Sequence, residues 1–181
     1  EKRIPWVLDP VAHFATTFRR NAVAELLALR PTIIRANASE IIALAGGASA
    51  GQGVDSRDPV EQAEAAAVAL ARQHEAVVAV TGAVDFVTDG RQSMRIAGGS
   101  PLMPKVTALG CALTCLVGAF AATAPRDPLP ATVAALACFG VAGEVAALGA
   151  EGPGSFAWRF LDALMALDPA SLDAKAKVVP A

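Results

Sequence analysis

An α/β fold with a mainly parallel central sheet, flanked by helices and followed by a C-terminal helical run, is what this sequence predicts. Three observations carry that expectation. Short apolar runs rich in Val and Ile recur along the first hundred residues, stretches with helical spacing separate them, and each run closes on polar residues. Strands alternating with helices of about a dozen residues call for βαβ units, which make a parallel sheet with covered faces. The polar residues ending successive strands then meet beyond the carboxyl ends of the strands, where such sheets bind ligands.

The first strand is expected over Ile4 to Leu8, stopped by Asp9-Pro10. Phe18, Ala22, Leu26 and Leu29 recur at intervals of three to four and predict an amphipathic helix that Pro31 ends. Thr32-Ile33-Ile34 reads as the second strand, running into Arg35-Ala36-Asn37 and a helix from Ala38 to Ala45. Gly46 to Gly53 is a loop without Walker or G-x-G-x-x-G spacing. Asp58 then reads as an N-cap, with Pro59 as the first helical residue and Glu61 in the first turn of a helix reaching Gln73. Ala76 to Val80 is a third strand ending at Thr81-Gly82, and Val84 to Thr88 with Gln92 to Ile96 flank the hairpin signal Asp89-Gly90. Helices over Cys111 to Ala124, Leu129 to Leu148 and Ser155 to Leu167 complete the pattern.

A chain of 181 residues is long enough for one domain with a real core, and we expect a single domain over 1–181. Its 54% hydrophobic and 18% charged residues exclude intrinsic disorder. With 15 basic and 17 acidic residues the formal charge is −2, which offers no electrostatic footprint for nucleic acid or an anionic membrane. Val106 to Ala124 carries no charge and is long enough to span a bilayer, but its Ala, Gly, Thr and Cys content reads as a buried globular helix. Three cysteines without metal-ligand spacing argue against a disulfide framework and fit a reducing, cytoplasmic setting. Glu1-Lys2-Arg3 is no signal peptide, and the lack of an initiator Met fits a piece of a longer protein.

Asp9 and Glu40 are the carboxylates placed to serve chemistry, as hard oxygen ligands suited to Mg²⁺. For Glu40 the alternative is structural, since Asn37-Ala38-Ser39-Glu40 has the pattern of a capped helix start. Arg35 suits nucleotide phosphate or a surface ion pair. Thr81 has an equal claim as a strand-end residue bonding to backbone. Thr107 to Cys111 leads through Gly110 into a helix whose first amides form an anion site. Cys111 stands at that terminus as a reactive thiol or a small core residue, while Cys115 and Cys138 read as core. His13 lines the site or packs its loop, and His74 reads as a solvated helix end. The two histidines share no motif with a nucleophile.

Taken in order, Val7-Leu8-Asp9-Pro10-Val11, Ile34-Arg35-Ala36-Asn37-Ala38-Ser39-Glu40-Ile41, Gly53-Val54-Asp55-Ser56, Val80-Thr81-Gly82-Ala83-Val84-Asp85, Lys105-Val106-Thr107-x-x-Gly110-Cys111 and Gly152-Pro153-Gly154-Ser155-Phe156 resemble the hydroxyethylthiazole kinase family of the ribokinase-like superfamily. The resemblance implies ATP- and Mg²⁺-dependent phosphorylation of the alcohol of 4-methyl-5-(2-hydroxyethyl)thiazole in thiamine biosynthesis, by a homotrimer with active sites between subunits. It implies that Asp9 and Glu40 assist the metal, and that Arg35, Asn37, Thr81, Leu109 and Gly110 bind ATP. Ala108 would touch the substrate and Cys111 would be the catalytic group. Three glycines of the family pattern are Ala12, Phe14 and Ala108 here, and His13-Phe14 makes the first loop bulkier. The family's N-terminal segment, with much of the thiazole pocket, is not in this sequence. Two alternatives stand: another ribokinase-like enzyme, such as a hydroxymethylpyrimidine kinase or a nicotinamide-nucleotide hydrate dehydratase, and a noncatalytic nucleotide-binding or interaction domain.

Overall fold

The computed structural model describes residues 4–48 and 58–181. Among them runs a sheet of six strands in sequence order, namely β1 (Val7–Leu8), β2 (Ile33–Asn37), β3 (Val77–Thr81), β4 (Val84–Thr88), β5 (Ser93–Ala97) and β6 (Lys177–Pro180). The first three strands are parallel, and β3 through β6 pair antiparallel. The expected α/β architecture holds, with its parallel part confined to the half that carries the polar strand ends. The helices are α1 (Thr17–Ala28), α2 (Ala38–Leu44), α3 (Val60–His74), α4 (Leu109–Thr123), α5 (Pro128–Ala147), α6 (Pro153–Ala166) and α7 (Pro169–Lys175).

Side chains alternate across a strand, so β2 and β3 each serve two cores. Ile33, Val77 and Ala79 pack with α4, α5 and α6, while Ile34, Ala36, Val78 and Val80 pack with α2 and α3. By the same alternation Arg35, Asn37 and Thr81 fall on the α4 face, where the apolar run of each strand gives way to polar residues. Helix α5 is apolar on all sides and packs between α4 and α6, which is where such a helix must lie in a globular protein. It is the one described helix long and apolar enough to cross a membrane, and most of it is buried inside the protein.

Several expectations need correcting. The first strand is only Val7–Leu8, and Ile4 is exposed. Arg35 and Asn37 belong to β2 itself, because parallel pairing with β3 continues through Asn37 opposite Thr81. Phe18 and Leu26 on α1 and its C-cap Leu29 are exposed and only Val23 of the helix is buried, so spacing alone did not identify the packed face. Pro59 is the N-cap of α3, which places Asp58 one residue farther out, where its carboxylate accepts a 2.7 Å bond from Ser39 Oγ. Cys115 is exposed, whereas Cys138 is buried as expected. His74 is half-buried, and burial lowers its pKa. Helix α7 and strand β6 were not expected. The Gly53-Val54-Asp55-Ser56 motif and the latter part of the Gly46–Gly53 loop lie outside the described residues.

Candidate functional site

Strand β1 delivers Asp9, β2 delivers Arg35 and Asn37, and β3 delivers Thr81 to one edge of the sheet, facing the start of α4. The guanidinium of Arg35 is the centre of the cluster. Its Nη2 donates to Thr81 Oγ1 at 2.7 Å, the diagonal neighbour across β2 and β3, and its Nη1 lies 3.4 Å from Asp9 Oδ2. Both charged side chains are nearly buried, at 12% and 13% exposure, so the pair is screened far less than a surface salt bridge. Arg35 Nε and Asp9 Oδ1 are also buried and have no hydrogen-bond partner. Unsatisfied buried polar atoms are costly in a finished core, and two of them in one cluster suit a site for a polar ligand.

Helix α4 closes the other side. Its N-cap, Ala108, has φ +64° and bears no side-chain cap, because alanine has no acceptor to offer. Leu109 N–H donates to Val106 C=O at 3.4 Å and Ala112 N–H to Ala108 C=O at 3.0 Å. The amides of Gly110 and Cys111 have no backbone acceptor among the described residues. Two amides, those of Gly110 and Cys111, are therefore left at the start of α4, as Leu109 is already engaged. Gly110 leaves room for Arg35, since a Cβ there would lie 3.2 Å from Arg35 Nη1 and 3.4 Å from Nη2. Cys111, the next residue, is exposed.

Glu40 sits deeper. Its Oε2 accepts from Asn37 N at 2.9 Å while Asn37 Oδ1 accepts from Glu40 N at 2.9 Å, which is a complete capping box for α2. Its Oε1 accepts from Ala12 N at 2.9 Å, pinning the loop after β1. Burial raises the Glu40 pKa, and the neighbouring Asp9 charge pushes the same way, while the two backbone N–H donors and Arg35 oppose the shift. The structural reading of Asn37-x-x-Glu40 holds, since the carboxylate caps α2 and braces the loop after β1. Two hard-oxygen carboxylates, one with a free buried oxygen, fit Mg²⁺ that keeps waters and shares phosphate oxygens. They do not form a closed cage, as no cluster of three or more metal-ligating side chains occurs among the described residues.

Ala12 is buried with φ +47°, so two of the three positions where the sequence replaces a family glycine, Ala12 and Ala108, adopt left-handed backbone, and Phe14 does not. His13 is buried, its Nδ1 3.3 Å from Pro10 O and its ring edge-on to Phe14, and burial lowers its pKa. It packs the loop.

Two residues of this cluster were given no role from the sequence, although Asp85 closes the Val80-Thr81-Gly82-Ala83-Val84-Asp85 motif. Asp85 accepts from Gly82 N at 2.9 Å, bracing the turn after Thr81, and burial lifts its pKa to about 6 against the pull of Arg35. Its place three residues after a turn glycine was the available signal. Thr114 Oγ1 donates to Asp9 Oδ2 at 2.6 Å, and its spacing of one helical turn from Gly110 was the only clue.

This constellation can be set beside known proteins. The model of the hydroxyethylthiazole kinase family matches residues 1–170. The chain belongs to the hydroxyethylthiazole kinase family. A hydroxyethylthiazole kinase of Rhizobium etli is 78% identical over 174 residues, covering 96% of this chain and 67% of that protein. One from Cereibacter sphaeroides is 65% identical, over 96% of the chain and 66% of that protein. The chain thus spans about two thirds of the length of these relatives. Among solved structures, a hydroxyethylthiazole kinase protein from Pyrococcus horikoshii superposes with TM-score 0.85 at 37% identity, over 98% of this chain and 65% of that one. The pyridoxal kinase of Staphylococcus aureus, whose structure contains AMP-PCP and pyridoxal, matches with TM-score 0.61 at 18% identity, over 78% of this chain and 52% of that one. That likeness concerns the fold alone. The expected family, fold class and kinase assignment stand on these relatives.

Proposed function

We propose that the chain is a single ribokinase-like kinase domain that transfers the γ-phosphoryl group of ATP to the hydroxyl of 4-methyl-5-(2-hydroxyethyl)thiazole in thiamine biosynthesis or salvage. The observation that carries this reading is the convergence of the Arg35 guanidinium, held by Thr81 and Asp9, on the glycine at the start of α4. A planar cation and free helix amides facing each other are what a polyphosphate needs, and membership of the hydroxyethylthiazole kinase family supplies the acceptor.

Phosphoryl transfer demands positioning and charge stabilisation more than covalent chemistry. Arg35 pairs with phosphate oxygens, and Thr81 fixes its orientation. The amides of Gly110 and Cys111, at the positive end of α4, receive charge that develops on the transferring group. Asn37 aligns Glu40 and the phosphate side of the site through its capping box. Asp9 and Glu40 would hold Mg²⁺, which would neutralise phosphate charge. Ala108 meets the substrate through its backbone, and the Cys111 thiol positions the alcohol or accepts its proton weakly. We read the assembly as a cytoplasmic homotrimer with sites between subunits, on the strength of the family and of three free cysteines.

The test is ADP release coupled to the thiazole alcohol in the full-length protein. Cys111→Ala should retain part of the turnover, and Cys111→Asp should match or exceed it, because a carboxylate is ionised at neutral pH and accepts the proton. A folded Cys111→Asp enzyme far slower than Cys111→Ala would refute the base role, and a trapped covalent phosphoenzyme would replace it with a nucleophile.

A further inference from the structure

The hydroxyl of Thr114 is the shortest link between the two sides of this site. Thr114 lies on α4, one turn beyond Gly110 and three residues beyond Cys111, and its Oγ1 donates to Asp9 Oδ2 at 2.6 Å across 105 residues of sequence. The carbonyl of Gly110 is 3.3 Å from the same oxygen, but one hydroxyl carries one proton, and the shorter, charge-assisted contact to the carboxylate takes it. Asp9 Oδ2 therefore receives both Thr114 and Arg35 Nη1, and Asp9 Oδ1 is left buried with no partner.

We propose that Thr114 is a positioning residue for the phosphotransfer reaction, fixing the Asp9 carboxylate so that Oδ1 remains open to a hydrated divalent cation. The inference rests on the kinase reading above. Two consequences follow from the geometry. A carboxylate bound at one oxygen cannot rotate freely, so the open oxygen keeps a fixed place relative to the Gly110 and Cys111 amides. The bond also ties the segment after β1 to α4, so the cation side and the phosphate side of the site move as one body. Arg35 alone does not supply this, because its 3.4 Å contact with Asp9 is long and its closer bond goes to Thr81.

Thr114→Val keeps the branched shape and removes the hydroxyl, and Thr114→Ser keeps the hydroxyl and removes the methyl. Both are compared with the wild type in the full-length protein by thermal melting, by ADP release at varied Mg²⁺, ATP and thiazole alcohol, and by the melting shift that ADP produces with and without Mg²⁺. We expect Thr114→Val to melt near the wild type, lose about 10- to 100-fold in kcat, need several-fold more Mg²⁺ for half-maximal rate, and keep its KM for the thiazole alcohol within about twofold. Its extra stabilisation by Mg²⁺ over ADP alone should shrink, and Thr114→Ser should restore both readouts. Equal impairment of Val and Ser, or a Val variant with unchanged Mg²⁺ dependence in both readouts, overturns the proposal. A wild type that binds Mg-ADP yet does not phosphorylate the thiazole alcohol overturns the kinase reading instead, and the melting shifts still decide the role of Thr114.

Discussion

Gly110→Ala separates the stability of this protein from its affinity for nucleotide. The added Cβ would stand 3.2 Å and 3.4 Å from the two terminal nitrogens of Arg35, so the guanidinium must give by a few tenths of an ångström. It has little room, since Thr81 holds Nη2 at 2.7 Å and Asp9 lies 3.4 Å from Nη1. Weakening that hydrogen bond costs about 0.5–1.5 kcal/mol. Replacing a helical glycine by alanine returns about 0.5–1 kcal/mol. The two nearly cancel, and the melting temperature should move by less than about 4 °C. Nucleotide binding has no such compensation. A charged hydrogen bond to phosphate contributes about 1.5–3 kcal/mol, so displacing the guanidinium should lower kcat/KM for ATP roughly 10- to 100-fold. Coupled ADP release at varied ATP, beside a thermal melt of the same preparation, measures both quantities. A well-folded variant with kcat/KM for ATP within twofold of the wild type would refute the placement of phosphate between Arg35 and α4.

Arg35→Ala should raise the KM for ATP far more than that for the thiazole alcohol, since a guanidinium pairs with phosphate and not with a neutral heterocycle; equal losses for both would contradict the assignment. Ala108→Gly should stabilise the protein by about 0.5–1 kcal/mol, as glycine relieves the φ of +64° at some cost in unfolded-chain entropy, and a thermal melt that fell would show that the alanine is not strained. Asp85 takes up a proton on folding between its ordinary value of 3.8 and about 6, so its contribution to stability falls as pH rises through that interval. Asp85→Asn, which still offers Gly82 an acceptor, should flatten urea-unfolding stability over this range and leave the protein more stable at pH 7 by up to about 3 kcal/mol; a pH dependence parallel to the wild type would exclude Asp85 as its source.

Much of the architecture could be read from local pattern. Val77 to Val80 is a β-branched run with a turn at each end, and Asp89-Gly90 announces its hairpin through the φ of +85° that glycine tolerates. The site was legible at the strand ends, where Asp9, Arg35 and Thr81 interrupt apolar runs, and at Gly110, where the pattern changes to helix. What could not be read depends on pairs distant in sequence. The exposure of Cys115 and Phe18 depends on which helix face finds a neighbour, and the Thr114 contact depends on how α4 is rotated over β1. Strand β6 adds to β5 as an outer antiparallel strand, and its short Lys-Val-Val-Pro sequence carries no signal strong enough to announce that pairing.

The alternation of β2 and β3 between two cores makes the site a gauge of correct strand pairing. Arg35 and Thr81 share a face only because Asn37 is opposite Thr81 in the ladder. A slip of one residue would turn Arg35 toward the Val78 and Val80 side and bury a cation among Ile34, Ala36 and the helices α2 and α3. Such a chain would lose the proposed nucleotide site and bury an unpaired charge together, so a misregistered form should be both inactive and unstable. Catalytic turnover per mole of protein therefore counts the fraction of molecules that zipped correctly, and refolding yield measured by ADP release should match yield measured by cooperative melting.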